Sequence, residues 1–104
     1  MDTEEFRRLG HRVIDWIADY RETIAERPVA PPTEPGSVRR QLPDHAPETG
    51  ESLDNLLDDL DSIVAPNLLH WQHPRFFGYF PANASLESLL GDFISSGLGV
   101  IGLS

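Results

Sequence analysis

The sequence predicts an all-α chain of three main helices joined by extended, proline-rich linkers, with little or no sheet. Three observations carry that expectation. Apolar residues recur at steps of three and four over residues 3–26, 53–64 and 85–96, the period of an amphipathic helix and not of a strand. Residues 28–35, Pro-Val-Ala-Pro-Pro-Thr-Glu-Pro, are half proline, which fixes φ, removes donors and leaves only an extended connector. Pro28 and Pro66 stand beyond the first two helical stretches, and Gly97 is a natural C-terminal cap for the third.

The first helix carries Phe6, Leu9, Val13, Trp16, Ile17, Tyr20 and Ile24 on one stripe. Asp2 or Thr3 can cap its start, and Glu4 and Glu5 suit the positive end of its dipole. About 24 residues rising 1.5 Å each make a rod of about 36 Å. That exceeds what a compact chain of this length, with a radius of gyration of about 13 Å, can cover, so the rod is expected to pack on another chain. Gly10 either lets a second helix approach closely or is incidental. After the linker, Ser37 to Leu42 forms at most one helical turn before Pro43.

Ser52 caps the second helix, whose apolar set is Leu53, Leu56, Leu57, Leu60, Ile63 and Val64, with Asp54, Asp58, Asp59 and Asp61 opposite. A helix this short needs a surface from elsewhere in the protein. Residues 70–81, His-Trp-Gln-His-Pro-Arg-Phe-Phe-Gly-Tyr-Phe-Pro, are too aromatic and proline-broken for a helix and read as an extended, largely buried strip. The third helix follows, with Leu86, Leu89, Leu90, Phe93 and Ile94 on its apolar side. The apolar tail, Val100 to Ser104, lacks a polar closing segment and is expected to continue into a longer protein.

Seventeen acidic residues against eight basic ones give a net charge of -9, which repels phosphate backbones and anionic lipids. Nucleic-acid and membrane binding are therefore not expected. Cysteine is absent, which excludes disulfides and thiolate chemistry within the chain and fits a cytoplasmic protein. No stretch is long and apolar enough for a signal peptide or a membrane span. All eight basic residues are arginine, so no lysine side chain here can form a Schiff base.

Trp71, Phe76, Phe77, Tyr79 and Phe80 exceed what a helical core needs, and their clustering suits either a pocket for a flat apolar ligand or a buried interface. Tyr79 to Asn83 add a phenol, an amide and backbone just before a helix N-terminus. His70 and His73 lack a third ligand at a recognised spacing, so no metal is expected and both read as structural histidines. The aspartates of the second helix lack the pattern of a calcium loop and read as a solvated face. Ser95-Ser96-Gly97 has no partner base nearby, and glycines 97, 99 and 102 follow a helix where a dinucleotide loop would follow a strand. No catalytic residue is assigned to the chain.

Nearly the whole chain resembles the start of the group II pyridoxal-phosphate decarboxylases, especially those acting on aromatic amino acids such as dopa, tryptophan and tyrosine. The likeness runs through Glu5 to Gly10, Val13 to Tyr20 and Val29-Ala30-Pro31, and is most specific from His70 to Ala82, continuing to Leu89-Leu90-Gly91-Asp92 and Gly97 to Gly102. The resemblance implies an N-terminal flap, residues 1–104, of a fold-type-I enzyme whose large cofactor domain is absent from this chain. It implies a homodimer held through the first helix and the apolar tail. It also implies that Trp71, Tyr79, Phe80, Pro81 and Ala82 line the substrate pocket, and that Ile101 and Leu103 reach the pocket of the partner subunit. Animal dopa decarboxylases have threonine where this chain has Ala82 and phenylalanine at the Leu103 position, so the choice among aromatic substrates stays open.

The chemistry so implied uses pyridoxal phosphate to absorb the carbanion left by CO2 loss, with an amine as the second product. It requires a lysine and a carboxylate at the pyridine nitrogen, both downstream in the family, so this chain alone is expected to be inactive and not to bind the cofactor. The competing expectation is a helical dimerisation module with no catalytic role.

Overall fold

Asp2 starts the first helix, α1 (Thr3–Thr23), by accepting the Glu5 N–H at 2.8 Å, and a 3-10 turn at Ile24–Glu26 ends it ahead of Pro28. A computed structural model describes residues 1–82, 84–100 and 102. The proline-rich connector then leads to α2 (Ser37–Gln41), the single helical turn expected before Pro43. Ser52 caps α3 (Leu53–Asp59), accepting the Asp54 N–H at 3.2 Å. Ser85 caps α4 (Leu86–Leu98), accepting the Ser88 N–H at 3.1 Å. No strand occurs among the described residues, as the periodicity requires.

Two helix ends differ from expectation. The second helix is α-helical only to Asp59; a π turn follows at Leu60–Val64 and a 3-10 turn at Ala65–Asn67. Pro66 has no N–H and its ring crowds the carbonyl one turn back, so α-helical bonding cannot run through it. The Asn67 side chain instead donates to the Ile63 carbonyl at 2.7 Å. The third helix passes Gly97 and ends at Gly99, whose φ of 61° lies in the left-handed region that glycine enters without a steric penalty; the Gly99 N–H bonds back to the Ser95 carbonyl.

α1 and α3 run side by side in the same direction. A ladder of polar contacts shows the register: Arg8 and Arg12 both donate to Asp54, Arg12 also reaches Asp58 at 2.6 Å, the Trp16 indole N–H donates to Asp61 at 3.2 Å, and Tyr20 meets His70 at 2.8 Å. Of the aspartates read as a solvated face, Asp54, Asp58 and Asp61 are thus partners of α1. Arg8, Arg12, Trp16 and Tyr20 are each four residues apart, which stacks them along one stripe of the helix. Parallel helices cannot be joined by a tight turn, so the chain must travel back along α1 before α3 begins. The stiff, extended segment after Pro28 has the reach for this.

Beneath the ladder, the apolar residues buried among those described are Leu9, Ile24, Leu57 and Ala65, with Leu9 only 1% exposed. Phe6 and Ile14 of α1, and Leu86, Leu90, Phe93 and Ile94 of α4, remain exposed. Between these helices runs an apolar groove of about 650 Å³, lined by Leu9, Val13 and Ile17 on one side and Leu89, Leu90 and Phe93 on the other. Gly10 opens onto it, and a Cβ there would meet nothing within 4 Å, so no close helix approach within the chain explains this glycine. The radius of gyration is 16.5 Å, against about 13 Å for a compact chain of this size.

Candidate functional site

The segment after Asn67 is a chain of tight turns. The His73 N–H bonds to the His70 carbonyl at 3.0 Å and the Phe76 N–H to the His73 carbonyl at 2.9 Å, so the backbone folds back twice within seven residues. An extended run was expected, but Pro74 and the histidine side chains favour turns. The Nδ1 of His73 accepts the Arg75 N–H at 2.9 Å, the local bond by which a side chain competes with regular structure.

These turns sort the residues by polarity in the opposite sense to the expected one. His70 and His73 are buried, while Trp71 is 45% exposed, Tyr79 75% and Phe80 98%. The largely buried strip is therefore corrected to a buried histidine pair carrying an outward-facing aromatic surface. The Trp71 ring stacks on Phe76 at 5.7 Å and on Tyr79 at 5.4 Å, with interplanar angles of 16° and 11°. Near-parallel rings with exposed edges and faces offer a flat, apolar, polarisable surface to another ring. Tyr79 has φ of 53°, an uncommon conformation for a non-glycine residue and one that turns the chain sharply between Gly78 and Phe80. At Gly78 a Cβ would lie 3.3 Å from the Phe76 ring edge, so the absent side chain makes room for the stack.

Of the residues expected at a site, Trp71 and Tyr79 are brought into one array, and Phe80, Pro81 and Ala82 continue from it, all exposed. The Ala82 carbonyl accepts from the Gln72 side chain at 2.9 Å, tying the far end of the strip back to its start. Ile101 and Leu103 lie outside the described residues. Residues with a part in the site that lie outside the aromatic cluster singled out by spacing are Gln72 and Tyr20. Tyr20 stood on the apolar stripe of the first helix, yet its hydroxyl bonds His70 while its ring stacks on Trp16 at 5.3 Å and lies under the Arg27 guanidinium at 5.5 Å.

His70 is held below its ordinary pKa, first by burial and second by the positive charge of Arg27. Asp54 is held well below the usual carboxylate range by its bond from Arg8 and then by that from Arg12. Among the described residues no group of three or more His, Cys, Asp or Glu side chains is placed to hold a metal. No helix is long and apolar enough to cross a membrane.

Among the described residues, fold and site together define a helical segment without strands that displays an aromatic surface and holds no cluster of metal-ligating side chains. The family model described as "Pyridoxal-dependent decarboxylase conserved domain" matches residues 35–104, and the chain belongs to that family. Over its whole length the chain is 45% identical to a phenylacetaldehyde synthase of Arabidopsis thaliana, of which it covers 21%. Among solved structures it resembles Catharanthus roseus tryptophan decarboxylase in complex with L-tryptophan, with a TM-score of 0.90 and 36% identity, and Oryza sativa TDC with PLP and tryptamine, with a TM-score of 0.91 and 30% identity. Each likeness takes in all of this chain and 22% of the solved one. The chain thus spans about a fifth of the length of the relatives it matches. The chain contains no lysine, so none of its side chains can form a Schiff base.

Proposed function

We propose that the protein containing this chain is a pyridoxal-phosphate-dependent decarboxylase of aromatic L-amino acids, in which residues 1–104 form an N-terminal flap contributing dimer contacts and a wall of the substrate pocket. The observation that carries the reading is the outward-facing stack of Trp71, Phe76 and Tyr79, a surface whose geometry matches an aromatic side chain. Phe80, Pro81 and Ala82 extend that wall, and Ile101 and Leu103 are assigned to the pocket of the partner subunit. The lysine and the catalytic groups come from another part of the protein, so the segment alone is inactive. The role of these residues is to bind the ring of the substrate and exclude water. A homodimer is supported by the exposed apolar faces of α1 and α4, which find no cover within the chain.

The test is to supply the full-length protein with phenylalanine, tyrosine, dopa and tryptophan and to follow CO2 and the organic product. Release of CO2 with the corresponding amine is expected. A second reading, favoured by the 45% identity to a phenylacetaldehyde synthase, gives an aldehyde in place of the amine. Failure to release CO2 from any of the four would leave the helical dimerisation module as the better description.

A further inference from the structure

We propose that the contact between Tyr20 and His70 is an acid-labile latch that positions the aromatic array of residues 71–80 on α1. The latch rests on the chain's own geometry; only its consequence for substrate binding rests on the proposed decarboxylase.

His70 stands where the array begins and is 2% exposed. Its backbone N–H bonds to the Val29 carbonyl at 3.0 Å, and its Nδ1 lies 2.8 Å from the Tyr20 hydroxyl. Those two bonds join the strip to the C-terminal end of α1 and the start of the proline-rich connector. The next residue is Trp71, the ring on which Phe76 and Tyr79 stack. A displacement of His70 is therefore passed directly to the array.

The surroundings of the ring favour the neutral form. Burial does so first and the charge of Arg27 second, with a smaller effect of His73 in the same sense, while the backbone at Ala65 acts the other way; none of these groups is a carboxylate. Arg27 lies over the Tyr20 ring, and His73 sits three residues away and is likewise buried. The Nε of Arg27 and the Nε2 of His73 are buried and find no hydrogen-bond partner among the described residues, so buried donors already outnumber their acceptors here. With the Tyr20 hydroxyl donating to Nδ1, the ring is neutral. A proton added at Nδ1 would force that hydroxyl to turn and would place a second positive group beside that of Arg27.

The sign follows from linkage. The folded pKa of His70 lies below that of the open state, about 6.5, so the latch is at full strength above that pH and weakens as pH falls below it toward the folded value. Within that window one linked proton raises the opening constant by up to about tenfold per pH unit.

Hydrogen exchange followed by mass spectrometry on the full-length protein tests this, with rates normalised at each pH to an unstructured reference peptide. Between about pH 7.5 and about pH 5.5, peptides covering residues 68–80 and 16–29 are expected to lose protection together, while those covering α3 do not. His70→Asn keeps an acceptor near the Tyr20 hydroxyl but does not titrate, and is expected to abolish the pH dependence. Tyr20→Phe removes only the hydroxyl and is expected to bring the strip at the higher pH toward the exchange that the unmodified protein shows at the lower. A strip whose protection is independent of pH, an equal pH slope in His70→Asn, or unchanged protection in Tyr20→Phe would each overturn the proposal. Should His70→Asn not fold, the pH series of the unmodified protein and Tyr20→Phe decide it. None of these readouts depends on amine or aldehyde production, so failure of the latch and failure of the decarboxylase reading are distinguishable.

Discussion

Leu9 is the best-buried large side chain among the described residues, and it stands on α1 beside Arg8, which reaches Asp54 of α3. Truncating a leucine so placed removes transfer energy and leaves a cavity, a loss of about 2–5 kcal/mol. Leu9→Ala is expected to lower stability by that order in urea titration of the full-length protein. Asp54 behaves differently, because Arg8 and Arg12 lie near the surface with it and exposed ion pairs contribute little to stability. Its effect is in pH. The carboxyl titrates lower in the folded state than in the unfolded one, so its contribution is present above about pH 3.9 and is lost as pH falls below that. Asp54→Asn is expected to shift the urea midpoint slightly downward at neutral pH and to flatten its fall in acid. At this scale the sequence is informative about type and poor about partners. The four-residue steps from Arg8 to Tyr20 are plain on reading, but their counterparts lie more than forty positions away, and pairing them requires knowing that the helices run parallel.

Helices were the most legible elements. Asp2 and Ser52 cap where expected, and α1 with its 3-10 turn covers residues 3–26 as the periodicity predicts. The end of α3 was not legible, because apolar steps of three and four continue through Val64 whether the turn is α or π; only the bonding displaced by Pro66 separates them. The strip failed for another reason. Aromatic content argues for burial, but in this chain the rings stack on one another at the surface and the histidines take the interior. Glycine gave a similar ambiguity, with Gly97 and Gly99 both able to end α4 and only backbone conformation choosing between them. Ser85→Ala removes the acceptor for the Ser88 N–H, and about 1 kcal/mol of local helix stability should go with it. Faster amide exchange in the first turn of α4, with α1 unaffected, is the expected result.

For the whole molecule, the radius of gyration and the apolar groove say the same thing: α1 and α4 face each other across a gap instead of closing on a core. In the proposed enzyme that gap is covered by the partner subunit and the cofactor domain. Phe6→Glu together with Phe93→Glu would place two charges on this surface, and light scattering of the full-length protein is expected to report monomer, against the dimer proposed for the unmodified protein. The all-α architecture and the family were both legible from sequence, the first from periodicity and the second from the run between His70 and Ala82. The arrangement of the helices was not, since nothing in the spacing says which face of α1 receives α3.

The bond from the His70 N–H to the Val29 carbonyl, at 3.0 Å, fastens two points between which residues 30–69 all lie. The backbone there is a ring closed by a clasp, and the entropy of closing a ring grows only with the logarithm of its circumference. Doubling its length costs only about 0.6 kcal/mol. Residues 44–50 are exposed, belong to no helix and sit on the far arc of that ring. A flexible epitope inserted among them should leave the thermal midpoint within a degree or two, on the order of that small entropy. The same epitope placed between Val29 and Pro35 would break the stiff return path, and its midpoint should fall further. Length, in this stretch of the protein, is nearly free to vary, whereas stiffness next to the clasp is not.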